Sequence, residues 1–241
     1  MKIHAHILAW NEANIIPFTL DYYSKFCEKI FVYDNCSDDE TASICGFYSM
    51  VEVVKWKGDN GMNEAVQSRL KSEMYRQKSR NQGVDWVIVI DCDEFLYHSN
   101  LLGKLQELKD KNIDVPLVKG YDMFSEKFPK YKKSIVDQIK IGSENHFLNK
   151  NIIFNPDKDI YYGIGAHTMN ASNCIFSNDF ELKLLHYKFL SLEYVIDRYE
   201  TLKNRQSEYN KSQQFNTHYS IESAKKRHEE LRITSVTVVH E

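Results

Sequence analysis

Trp86-Val87-Ile88-Val89-Ile90-Asp91-Cys92-Asp93-Glu94-Phe95 decides how this chain is read. Its apolar half has the continuous hydrophobicity of a strand covered on both faces, as in a parallel sheet. The run then meets three carboxylates within four residues. Like charges this close repel, and a fold accepts them most easily around a cation. Oxygen ligands suit Mg²⁺ or Mn²⁺, which usually bridge a few carboxylates to the phosphates of a substrate. A solvated acidic turn is the plain alternative. An aliphatic strand running straight into Asp-x-Asp-Glu favours the cation.

Working outward from this strand, its neighbours alternate. Strands are predicted over Ile3–Ala9, Lys29–Tyr33 and Val51–Trp56, before the fourth at Asp85–Ile90. Helices are predicted from about Asn14, with Pro17 in the first turn, from near Asp39, and over Asn63–Arg80, where Ala65, Val66, Leu70 and Met74 recur. Lys57–Asn63 reads as a polar loop with two glycines. Downstream, Leu101–Leu108 reads as a helix and Val115–Val118 as a fifth strand. This order predicts an α/β fold, a mainly parallel, Rossmann-like sheet with helices on both faces. Ligands of such sheets bind beyond the carboxyl ends of the strands. Three polar clusters fall there: Asn11-Glu12, Asp34 to Asp39, and Asp91 to Glu94.

After about residue 120 the pattern becomes an irregular α+β part. Tyr121–Gly142 is aromatic and lysine-rich, and Asn145–Ser177 suggests short strands with glycine turns. Leu192, Val195, Ile196, Tyr199 and Leu202 fit one helix face, and Ile221–Leu231 is a further helix candidate. Nothing marks a linker, so residues 1–241 are read as one domain. With 42% apolar residues over 241 positions, it can bury a large core without staples.

A net charge of −3 gives no bulk attraction to nucleic acid. The five cysteines have no CxxC spacing and read as reduced thiols of a cytosolic protein, neither zinc knuckle nor disulfide framework. The N-terminal apolar run is too short for a signal peptide, and Trp86–Ile90 falls far short of the ~20 residues of a membrane span. The expectation is a soluble, cytoplasmic protein, with peripheral contact at the inner face of a membrane left open.

Asp91-Cys92-Asp93 after an apolar strand resembles the DxD motif of GT-A glycosyltransferases. Asp34-Asn35-Cys36-Ser37-Asp38-Asp39-Glu40-Thr41 resembles the DDxSxDxT element of family 2 glycosyltransferases, as does Asn11-Glu12 after the first strand. With the Trp86–Phe95 block and a late His186-Tyr187, the chain is similar to a family 2-like branch over residues 1 to about 100. The resemblance implies a GT-A fold and transfer of a hexose from a nucleotide-sugar, a UDP-sugar, to a glycan or lipid-linked acceptor, assisted by Mn²⁺ or Mg²⁺. Residues 1–118 would be the donor half and 119–241 the acceptor half.

The resemblance also assigns roles. Asn11, Glu12, Asp34, Arg69 and Asp91 would bind the donor, Asp34 at the base or ribose. Asp91 and Asp93 would hold the metal, and with Glu94 they form the catalytic cluster. His186 or His167 would complete the metal site; a hydrogen-bonded core histidine is the plain reading of each. The late Glu-Asp pair of family 2 enzymes is absent, with Asp179, Glu181 and His186 near its place. The base, and with it the stereochemical outcome, stays open among Asp122, Glu126, Glu181 and Glu94.

Two rival readings remain. His4-x-His6 points two imidazoles to one side of a strand, which could hold metal in a hydrolase with the acidic cluster. A non-catalytic carbohydrate-binding relative is the other. Tyr131-Lys132-Lys133 and Lys225-Lys226-Arg227 read as solvated faces, or as attractors of an anionic acceptor or phospholipid. Tyr121, Phe124, Phe128 and Tyr131 could stack on sugar rings or join the core.

Overall fold

The acidic turn is where the chain passes from one sheet to another. A computed structural model describes residues 1–58 and 61–240. The first part runs β1 (Ile3–Ala9), α1 (Ile16–Tyr23), β2 (Lys29–Asp34), α2 (Thr41–Cys45), β3 (Val51–Lys55), α3 (Glu64–Lys78) and β4 (Trp86–Asp91). Then come β5 (Glu94–Tyr97), α4 (Leu101–Asp110), β6 (Val118–Phe124), α5 (Ile135–Gln138), β7 (Ile141–Glu144), β8 (Ile153–Phe154), β9 (Ile160–Tyr162) and β10 (Met169–Ala171). The last part is β11 (Leu182–Phe189), α6 (Leu192–Asn204), α7 (Glu208–Ser212), α8 (Ile221–Thr234) and β12 (Val236–Thr237).

The first sheet has the order β3-β2-β1-β4-β8. β3, β2, β1 and β4 are parallel, and β8 adds an antiparallel edge. The second sheet has the order β12-β7-β6-β11-β5, with β6 and β11 its parallel pair. β4 ends the central part of the first sheet, and β5 begins at the edge of the second with only two residues between them.

β1 is buried along its whole length, and its two polar residues, His4 and His6, are buried with it. Alternate residues of β4 serve two cores. Ile88 and Ile90 join Ile3, Ile7 and Ile30, together with Leu184 and Leu185 of the second sheet, so the two sheets share this core. Val87 and Val89 pack with Phe31, Phe154 and, from α3, Met74 and Tyr75. α3 starts where Asn63 Oδ1 accepts the Ala65 and Val66 N–H groups at 3.1 and 3.2 Å, a cap that stabilises by about 1 kcal/mol.

The predicted fifth strand at Val115–Val118 is a correction. Val118 opens β6, Val115 forms only an isolated bridge with Phe176, and the fifth strand is Glu94–Tyr97. Pro116 has no N–H to give to a ladder. Of the predicted Lys57–Asn63 loop, Asp59 and Asn60 lie outside the described residues. Among the described residues no helix is long and apolar enough to cross a membrane.

The hydrolase reading loses its metal site. Ser79 Oγ lies 2.9 Å from His4 Nδ1 and 2.8 Å from His6 Nε2, and the His6 ring stacks on Phe31 at 5.0 Å. Both imidazoles are buried beneath α3, away from the acidic cluster, and burial lowers both pKa values, that of His6 to about 3. They are core histidines held by a shared hydroxyl.

Candidate active site

The Asp91–Glu94 turn separates its side chains by direction. Cys92 is buried, its thiol donating to the Leu8 carbonyl at 3.2 Å. Glu94 is 1% exposed; it accepts the Asp91 N–H at 3.0 Å and the Lys150 ammonium at 2.7 Å. The turn is thereby pinned, and Asp91 and Asp93 line the cavity above it.

Each outward carboxylate meets cations. Asp91 pairs with Lys71 at 2.8 Å. Asp93 Oδ2 faces His186 Nε2 and Arg198 Nη2, each at 3.5 Å. That is longer than the ~2.7–2.9 Å of a charge-assisted hydrogen bond, so Asp93 and His186 are not closed on each other. Behind the imidazole, His186 Nδ1 donates to Asp122 Oδ1 at 3.0 Å. Asp122 also accepts from Asn145 at 2.9 Å and Arg227 at 2.8 Å. Parallel pairing of β6 with β11 sets Asp122 directly beside His186.

These neighbours decide the protonation states. Burial alone would raise the carboxyls of Asp91 and Asp93. Lys71 and Lys150 beside Asp91, and His186 and Arg198 beside Asp93, outweigh it and hold both below the usual range. Burial would lower the His186 pKa, but Asp93 and Asp122 raise it to about 9.

The first cavity, of ≈ 170 Å³, opens past the carboxyl ends of β1, β2 and β4. Trp10, Asn35, Trp56 and Gln67 line it, with Lys71, Arg198 and Arg205. The Arg205 guanidinium lies 3.6 Å over the Trp10 ring and also donates to Asn35. Glu12 grips Arg198 with two bonds of 2.7 Å. A second cavity, of ≈ 670 Å³, is lined by Asn145, Phe147, His167, Tyr199, His218 and Arg227. Glu64, Asp91, His186, Lys188 and Tyr219 line both. The Lys188 ammonium sits over the Tyr199 and Tyr219 rings, at 4.8 and 5.2 Å, and makes no ion pair among the described residues. Burial lowers its pKa to about 8.

Asp91, Asp93, His186 and Glu12 thus meet at one place. The other expected site residues are placed differently. Arg69 is exposed and lines neither cavity, because α3 turns Glu64, Gln67, Ser68 and Lys71 inward instead. Asp34 is 1% exposed and accepts the Ser37 N–H at 3.1 Å, so it shapes its loop while Asn35 reaches the cavity. Asn11 does the same work: at φ 52° its side-chain carbonyl accepts the Asp38 N–H at 3.0 Å. Glu94 is bonded to Lys150 and to the turn, and it lines the second cavity. His167 stands at the second cavity with Nδ1 2.7 Å from the Phe147 carbonyl, and does not line the first cavity with Asp93. The aromatic residues Phe124, Phe128 and Tyr131 line neither cavity; Phe124 is core, and Tyr131 stacks on Phe18 at 5.2 Å.

No protein-family model matches the chain, and no curated protein does. Solved structures do. S. aureus TarS superposes with a TM-score of 0.52 at 17% identity, over 87% of this chain and 41% of that one. TarS 1-349 in complex with UDP-GlcNAc gives 0.50 and 17%, over 87% and 68%. The fold is GT-A-like. This chain spans less than half of the first TarS structure, and at this identity the likeness is one of fold. In the GT-A-like frame, the first sheet places Asp91 and Asp93, and the second sheet brings His186, Asp122 and Lys188 to meet them.

Proposed function

We propose that the chain is a glycosyltransferase that moves a hexose from a UDP-sugar to a glycan or lipid-linked acceptor. The observation that carries this is the acid pair Asp91 and Asp93 on the carboxyl edge of the sheet, both lining the first cavity, with Asp91 at its border with the second. The first cavity suits the nucleotide. Trp10, Trp56 and Asn35 offer stacking and hydrogen bonds to a base, and Lys71, Lys188 and Arg198 offer positive charge to a diphosphate. TarS 1-349 was solved with UDP-GlcNAc and with UDP, which supports a uridine donor here. The second cavity, fed by residues of the C-terminal half, suits the acceptor.

The donor set fits a divalent cation. Asp93 and His186 Nε2 face each other without a direct bond, and Asp122 behind the ring is the outer partner that ligating histidines carry. Among the described residues no three His, Cys, Asp or Glu side chains converge to hold an ion by themselves. Asp93 and His186 would therefore hold it together with the donor's phosphates, Asp91 standing beside them. A bound cation would take the place of the His186 Nε2 proton, and the imidazole ligand so formed suits Mn²⁺ better than Mg²⁺. When bound, the cation would offset the charge that builds on the departing nucleoside diphosphate. The chain's own part is to orient the diphosphate with Lys71, Lys188 and Arg198 and to keep the acid pair fixed through Glu94 and Glu12.

A calorimetric titration with UDP, with and without Mn²⁺, tests the reading, followed by turnover of UDP-sugars. UDP at 100 times its dissociation constant should add about 2.7 kcal/mol of stability. No UDP binding in either condition would sink it. UDP binding with neither transfer nor donor hydrolysis would leave the non-catalytic relative.

A further inference from the structure

We propose that Glu64 is the general base that takes the proton from the acceptor hydroxyl; this rests on the glycosyltransferase reading above. Four carboxylates line the second cavity: Glu64, Asp91, Glu94 and Asp122. Three are committed. Asp91 is paired with Lys71, Glu94 with Lys150, and Asp122 with His186 and Arg227. A carboxylate that already neutralises a cation is a poor proton acceptor, because the partner stabilises its charged form. Among the other carboxylates considered from the sequence, Glu181 is turned onto Lys104, and Glu126 is exposed and lines neither cavity.

Glu64 differs in both respects. It makes no ion pair among the described residues, and its one bonded oxygen, Oε1, accepts from the Asn216 amide at 2.7 Å. Oε2 is left for a ligand. It also lines both cavities, at the border where a donor's anomeric carbon and an acceptor's hydroxyl would meet.

Its position is fixed from outside its own helix. The Glu64 N–H donates to Asn210 Oδ1 at 3.0 Å, the Met62 N–H to the Arg205 carbonyl at 2.7 Å, and the Ser207 N–H to the Met62 carbonyl at 3.1 Å. Gly61, at φ +102°, lies so close to this segment that a Cβ there would stand 2.4 Å from the Arg205 carbonyl. The start of α3 is thus clamped to the segment joining α6 to α7, and Glu64 is held as a base must be.

The step balances as a single displacement. The acceptor oxygen attacks the anomeric carbon and forms the new C–O bond. The bond from that carbon to the phosphate oxygen breaks, and its electron pair leaves with the nucleoside diphosphate. The hydroxyl proton passes to Glu64 Oε2. The anomeric configuration inverts.

Glu64→Gln keeps the shape and the Asn216 bond but cannot accept the proton. Expected is a fall in transfer kcat of roughly 10²–10⁴-fold, with donor KM and calorimetric UDP affinity unchanged. Formate should restore part of the rate to Glu64→Ala, and NMR of the product should show inversion. A kcat of Glu64→Gln near wild type, a loss confined to donor KM, or a product of retained configuration would each overturn the assignment. Those results leave the glycosyltransferase reading standing. Wild-type protein that binds no UDP would remove both together.

Discussion

His186 donates its Nδ1–H to Asp122 at 3.0 Å, and this bond turns Nε2 toward Asp93. The pair works as a unit if the imidazole is a ligand. Asp122→Asn keeps the size of the side chain and removes the charge that orients the ring. Expected is a 10–100-fold loss of Mn²⁺ affinity, measured by calorimetry in the presence of UDP, with UDP affinity in metal-free buffer little changed. Equal Mn²⁺ affinity in both proteins would mean that Asp122 orients no ligand.

Asp93 is 4% exposed, and three cationic groups face it: His186, Arg198 and, further off, Lys188. Asp93→Asn should reduce turnover by at least ~10²-fold while circular dichroism shows the wild-type fold, because Arg198 keeps its two hydrogen bonds to Glu12. Near-normal kcat with Mn²⁺ would remove Asp93 from the chemistry.

Lys188 is the cation at the border of the cavities that lies over rings and makes no ion pair among the described residues, with Asp93 and Asp122 further off. Lys188→Met keeps the apolar stem against Tyr199 and Tyr219. The prediction is a loss of about tenfold or more in UDP affinity, the equivalent of one hydrogen bond to a charged group, and no change in uridine affinity. Parallel losses for UDP and uridine would show that the lysine only shapes the pocket.

The His4–Ser79–His6 cluster makes an acid-stability prediction. Both imidazoles have pKa values lowered by burial, so the unfolded chain binds protons that the folded chain refuses. Their contribution is fully present above the unfolded value of about 6.5, and for His6 it is lost as pH falls from there toward about 3. Each protonation difference adds a slope of up to about 1.4 kcal/mol per pH unit. Urea midpoints at pH 7, 6 and 5 measure it, and His6→Phe should flatten the slope. An unchanged slope in that variant would contradict the assignment.

Much of this was legible in the sequence, and the reason is local. Ile3–Ala9 could be bounded because a largely apolar run ends at the polar Asn11-Glu12, and α3 announces itself through the Asn63 cap. Asp91 and Asp93 stood out by charge density alone. What escaped depends on rotation or on distant partners. Arg69 and Lys71 look equally plausible in the chain, yet the residues of α3 that line the first cavity are at positions 64, 67, 68 and 71. That spacing was there to be counted. Lys150, Lys188 and Arg198 carried no such signal. Lys188 is placed by the pairing of β11 with β5 and β6, while Lys150 comes from the segment before β8 and Arg198 from α6, all far in sequence from the acids they approach.

The passage from β4 to β5 through the acidic turn constrains how such a protein could acquire a new acceptor. The two halves are not interchangeable cassettes. Any C-terminal half grafted after Phe95 would have to bring its own Lys150 for Glu94, its own Arg198 for Glu12 and its own His186 with Asp122 behind it. A graft lacking the first leaves the turn unpinned, and one lacking the others leaves Glu12 and Asp93 without their counter-charges. If the second cavity takes the acceptor, as proposed, acceptor preference would drift far more freely through residues such as Phe147 and His218, which line it and support neither acid.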